Sequence, residues 1–135
     1  MNYYQPSDAR IESLPSAESL DTAAAKSERE LLKRLAALNR YVEEQNGERA
    51  VVEALAYQLG IIPQLVVQER QQLRLGYGEY AALRGVAYLG RGSLNRIADE
   101  YQRGRSWAEL LTNNGSRINE LMGWMGELIR TTSNI

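Results

Sequence analysis

The chain has 135 residues, with 16 basic side chains against 17 acidic ones, and neither histidine nor cysteine. That length suits one domain with a real core. The missing cysteines exclude disulfides, thiol nucleophiles and thiolate metal sites, and the missing histidines exclude a Ser-His-Asp triad and imidazole bases or ligands. A net charge of −1 argues against a general nucleic-acid binder and against a polybasic membrane anchor.

Residues 1–20 read as a flexible tail. Pro6, Pro15 and the serines Ser7, Ser13, Ser16 and Ser19 leave no apolar period to bury. Tyr3 and Tyr4 stand out in it as incidental aromatics or, alternatively, as a short docking motif. The start shows no basic stretch followed by an apolar one. The expected compartment is therefore the cytoplasm, or an exported location if a leader has been removed. The most apolar stretch, Ala50 to Val67, is broken by Glu53, Gln58 and Pro63, so no membrane span is expected.

Residues 21–135 read as one helical domain. The first helix is expected from Asp21 or Ser27 to Asn46, opened by a Ser27–Glu30 capping box. Leu31, Leu35, Leu38 and Val42 draw one apolar stripe along it, and Gly47 is placed to end it in the left-handed conformation. A second helix runs from Glu48 to Leu59 and stops at Gly60. A third runs from Pro63, which suits a first turn, to about Arg74. Gly76-Tyr77-Gly78 reads as a tight turn whose glycines allow positive φ.

A fourth helix covers Glu79–Leu89 and ends at Gly90. Ser93 caps a fifth that reaches Gln102, with Gly104 beyond. A second capping box, Ser106–Glu109, opens a short sixth helix that ends near Asn114-Gly115. A seventh covers Arg117–Arg130, and residues 131–135 fray. β-Branched residues never alternate with polar ones over a useful length.

The fold expected is therefore all-α: a single orthogonal array of about seven short helices around a central buried helix, 79–89, with the amphipathic helix 21–46 at its periphery. The 79–89 segment carries charge only at Glu79 and Arg84, and a helix so apolar all round belongs inside. Ala81, Ala82, Gly85 and Ala87 let neighbours approach closely. Trp107 and Trp124 fall at apolar positions and read as core anchors.

Few motifs carry chemistry. Gly76 to Ala81 matches the dinucleotide pattern G-x-G-x-x-[GA], but that motif needs a preceding strand, and Gln68–Leu75 is helix-forming. The carboxylate candidates are Glu79, beside Tyr77 and Tyr80, and the pair Asp99-Glu100; neighbours on a helix diverge by ~100° and read as a solvated face. No catalytic residue, cofactor or metal ligand is assigned. Glu53 to Val66 has the Ala-Gly-apolar spacing of a helix-turn-helix. Its second helix offers Gln64, Gln68, Gln71 and Arg74 to base edges. Glu69 and the weak basic charge count against that reading.

The arginine run Arg84, Arg91, Arg96, Arg103 and Arg105 is a candidate patch for an acidic partner if the side chains converge. Leu55–Gly60 and Leu110–Gly115 echo each other as one helix-closing device used twice.

Four features also carry a resemblance: Leu59-Gly60-Ile61-Ile62-Pro63, Gly76-Tyr77-Gly78, the Ala81–Ala87 helix and Gly104-Arg105-Ser106-Trp107. Over Leu55–Gly115 the chain resembles a family of uncharacterised, small, often exported bacterial α-helical proteins. It departs from them at Ala108, where glycine often follows the tryptophan. The resemblance implies an all-helical fold and raises the prospect of export; it brings no catalytic or ligand residue. The function expected is a non-catalytic protein-interaction or scaffolding module, with a protein partner or self-association through helix 21–46. The alternative is a DNA-binding regulator using helix 63–74.

Overall fold

A computed structural model describes residues 17–133 of the chain. Seven helices follow one another: α1 (Ala17–Glu44), α2 (Glu48–Leu59), α3 (Pro63–Leu73), α4 (Tyr77–Leu89), α5 (Leu94–Gln102), α6 (Trp107–Asn113) and α7 (Ile118–Ser133). No strand occurs among the described residues. Most of the expected tail, residues 1–16, and with it Tyr3 and Tyr4, lies outside them.

The first helix begins earlier than its capping signal predicts. Helix-competent residues run back from Ser27 through Ala25, Ala24 and Ala23, and nothing there stops propagation. Ser27 is therefore interior to α1. Glu30 pairs with Lys33 at 3.5 Å. Glu28 does terminal work elsewhere, accepting the Ala108 N–H at 3.3 Å in the first turn of α6.

Helix α4 contributes many residues to a core shared with α1, α2, α6 and α7. Its residues Tyr80, Ala81, Ala82, Leu83, Gly85 and Val86 are buried, and it packs against α1, α2, α5 and α7. Two close approaches set the geometry. A Cβ on Gly78 would stand 2.3 Å from the Leu35 carbonyl oxygen, so α1 crosses α4 backbone to backbone. A Cβ on Gly85 would stand 2.5 Å from the Trp124 ring, which presses α7 onto the same helix. The Trp124 indole N–H donates to the Ala81 carbonyl at 3.0 Å. Trp107 is buried at the other side, its ring 4.9 Å from that of Tyr101.

Leu31, Leu35 and Leu38 of the α1 stripe are all buried on the chain's own core. Shielding of α4 is not complete: Tyr88, in its last turn, is 63% exposed.

Two turn expectations are corrected. Gly76 has φ −69° and ψ 163° and precedes α4, while Tyr77 and Gly78 lie inside the helix. Their glycines serve close approach rather than positive φ, and Arg74 takes the left-handed position instead, at φ 57°. Asn46, not Gly47, is left-handed after α1 (φ 51°), in keeping with the tolerance of Asn for that region. Gly47 stands at the start of α2 with φ −84°, and the Tyr41 ring fills the place its side chain would take.

The signals at Ser93 and Ser106 hold. The Ser93 hydroxyl accepts from Arg96 N–H, and Ser106 with Glu109 forms the reciprocal box.

The echo between Leu55–Gly60 and Leu110–Gly115 has a physical basis. Gly60 N–H donates to Tyr57 (3.3 Å) and Ile61 N–H to Ala56 (3.0 Å); Gly115 N–H donates to Thr112 (3.2 Å) and Ser116 N–H to Leu111 (2.9 Å). This is the Schellman pair of bonds, which satisfies the last carbonyls of a helix. Arg74-Leu75 and Gly104-Arg105 repeat it.

Candidate interaction surface

Four large apolar side chains are exposed among the described residues: Leu32, Tyr57, Ile62 and Tyr88. Gln58, in the last turn of α2, donates through Nε2 to the Trp124 carbonyl of α7 at 3.0 Å. Tyr88, in the last turn of α4, lays its ring 4.9 Å from the Trp124 ring. Tyr57, next to Gln58, is 81% exposed, and Ile62, in the turn that follows α2, is 64% exposed. No charged residue occurs from Leu55 through Gln68, so this elbow is uncharged. Its two helices, α2 and α3, meet at a bend of 105°. Arg91 follows Tyr88 by three residues and is exposed. Tyrosine and arginine are both enriched at the energetic centre of protein interfaces.

The sequence pattern did not single out this surface, because Tyr57 and Tyr88 each sit in an apolar helix. The stretch without charge was the legible signal.

The five arginines of the expected patch do not act together. Arg84 pairs with Glu69, Arg96 with Glu100 (3.4 Å), Arg103 with Asp99 (3.0 Å) and Arg105 with Glu109 (3.5 Å). Arg96 also donates to Asn114 Oδ1 at 2.7 Å. Four of the five charges are answered by a carboxylate, three of them four residues away in sequence. Arg91 alone of the five has no carboxylate within ion-pair distance among the described residues. The same pairs occupy Asp99 and Glu100, which turn to different arginines rather than toward a shared proton.

The glutamines Gln64, Gln68 and Gln71 are exposed along α3, and Arg74 is exposed at its left-handed end. Inward, α3 is tied by polar side chains. Glu69 accepts the Tyr80 hydroxyl at 2.6 Å and the Arg84 guanidinium. Burial, then the hydrogen bond to Glu69, pushes the Tyr80 hydroxyl up to about 12, against the opposing pull of Arg84. Arg70 sits 4.4 Å over the Tyr77 ring.

A polar cleft of about 460 Å3 lies beside these residues, lined among others by Asn39, Glu43, Glu48, Arg70, Tyr77 and Glu79. Most of its polar groups are engaged by neighbours. Tyr77 donates to Glu48 at 2.6 Å, and burial and that carboxylate together raise its pKa. Asn39 donates to Glu79 at 3.0 Å and accepts the Gly78 N–H at 2.7 Å.

This last bond disposes of the dinucleotide pattern. The space a phosphate would need at Gly78 is taken by Leu35 and Asn39, and a helix, not a strand, precedes the motif. No group of three acidic side chains is placed to hold a metal ion among the described residues. An apolar groove of about 420 Å3 between α1 and α7 is lined by Ala37, Leu38, Tyr41, Ile129, Thr132 and Ser133. No single described helix is long and apolar enough to cross a membrane.

Comparison of the chain with protein-family models, with curated proteins and with solved structures finds no match.

Proposed function

We propose that the protein is a non-catalytic interaction module that binds a protein partner at the α2–α3–α4 junction. The observation that carries this reading is the unspent apolar surface there: Tyr57 and Ile62, 81% and 64% exposed, on an elbow without charge. Exposed large apolar groups gathered at one place mark interaction sites more often than scattered ones do. The chemistry selects the partner. Arg91 favours a carboxylate, and the tyrosines with Ile62 favour an apolar or aromatic side chain beside it.

This reading moves the interface away from α1. Self-association through helix 21–46 would have to use its apolar stripe, and Leu31, Leu35 and Leu38 already pack on the domain. Leu32 remains half-exposed on the outer side. The resemblance to exported helical proteins stays part of the proposal, since the residues that carry it here serve turns and packing.

Selection of a random peptide library displayed on phage tests the reading. Enriched peptides should combine an apolar residue with Asp or Glu, and Ile62→Ser with Arg91→Glu should abolish their binding. No consensus, or binding that survives both substitutions, would overturn it.

A second reading has one specific observation behind it. The 105° bend between α2 and α3 falls in the range of helix-turn-helix pairs, and Gln64, Gln68, Gln71 and Arg74 lie on exposed parts of the second helix. Phosphate neutralisation supplies much of the affinity in such complexes, and α3 offers only Arg70 and Arg74 against Glu69. Fluorescence anisotropy with duplex DNA at low salt decides it. Binding that falls steeply with salt and is lost in Gln68→Ala and Arg74→Ala would support regulation of DNA, and a flat titration would end it.

A further inference from the structure

The seven helices are not equally anchored. Helix α4 buries Tyr80, Ala81, Ala82, Leu83 and Val86, and α2 buries Val51, Val52, Ala54, Leu55 and Ala56, whereas α3 fully buries Val66 alone. Val67 and Leu73 add partial burial. What α3 lacks in apolar contact it has in polar ties. Glu69 holds the Tyr80 hydroxyl (2.6 Å) and Arg84 on α4. Arg70 lies over Tyr77. Gln102 of α5 donates to the Leu73 carbonyl at 3.1 Å. Both ends of α3 are left-handed joints, Gly60 at φ 70° and Arg74 at φ 57°.

We propose that α3 is a clasped flap that opens as a unit between the Gly60 and Arg74 joints while the rest of the domain stays folded, and that the Glu69–Tyr80–Arg84 network is its clasp. Segments with few buried apolar contacts open at lower free energy than the core does. The clasp side chains are 20% and 24% exposed at Arg84 and Glu69, so water can replace their bonds as the flap leaves. Opening frees Val66 beside Ile62, adding apolar surface at the elbow. The flap does not depend on that elbow binding a protein, and it stands or falls by its own test.

Native-state hydrogen exchange on the whole chain provides that test. In the wild type the amides of residues 67–73 should exchange at least about 100-fold faster than those of 81–86, with little dependence on low denaturant, the mark of local opening. Glu69→Gln should speed the α3 amides about tenfold, the size expected for weakened bonds to a charged group, and change the α4 amides less than about twofold. Arg49→Ala, which removes the surface pair to Glu53 at 3.0 Å, should change neither set.

Exchange of α3 at the same rate as α4 in the wild type would overturn the flap. Equal acceleration of both helices in Glu69→Gln, or of neither, would overturn the clasp. If Glu69→Gln does not fold, Tyr80→Phe, which removes one bond of the clasp, decides by the same comparison.

Discussion

Gly78 and Gly123 are both helical glycines, and their surroundings give opposite predictions. A methyl group at Gly78 meets the Leu35 backbone at 2.3 Å, where no side chain can yield. Gly78→Ala should therefore cost about 2–3 kcal/mol, the scale of overpacking in a fixed core. Nothing lies within 4 Å of a Cβ at Gly123, so Gly123→Ala should gain about 0.5–1 kcal/mol from helix propensity and the less free unfolded chain. Urea titration of both variants checks the pair.

Tyr80 makes a prediction in pH. Its hydroxyl is raised from 10.0 to about 12 in the folded chain. Below pH 10 both folded and unfolded forms hold the proton. Between pH 10 and about 12 the unfolded chain gives it up while the folded chain keeps it, so stability should fall across that window. Tyr80→Phe should flatten that part of the profile, read as unfolding midpoint against pH.

At the scale of the element, helix ends were legible where the chemistry is local. Ser93 and Ser106 are read correctly because a cap needs only its own first turn. Ser106→Ala should cost about 1 kcal/mol, seen as a lower thermal midpoint. Ser27–Glu30 carries the same signature and fails, because α1 is already running when it reaches Ser27. A capping box marks a start only when the residues before it resist the helix.

The Gly76-Tyr77-Gly78 segment fails for a different reason. Its glycines are placed by α1, whose Leu35 lies far away in sequence, and no local pattern carries that contact. The positive φ expected there falls on Arg74 instead. Arg74→Gly should accordingly stabilise the chain by about 1 kcal/mol, the order of the left-handed penalty for a residue with a Cβ, measurable in the same urea titration.

For the whole molecule, the all-helical array and the two tryptophan anchors were readable because they follow from periodicity and burial. The site was not. Expected interaction residues were chosen by charge, and the structure answers four of the five arginines with carboxylates of their own. It likewise covers the α1 stripe. The groups left unanswered, Tyr57, Ile62, Tyr88 and Arg91, belong to different helices and turns, and their exposure follows from the packing of the whole chain rather than from any local pattern.

On the proposed reading, binding depends on the elbow, while folding depends on the buried core. Isothermal titration of a library-selected acidic-apolar peptide against the wild type and against a Tyr57→Ser, Ile62→Ser double variant separates the two. The account predicts affinity lost by more than about 100-fold, as for two central interface residues, with an unchanged unfolding midpoint. Undiminished affinity in the double variant would contradict it.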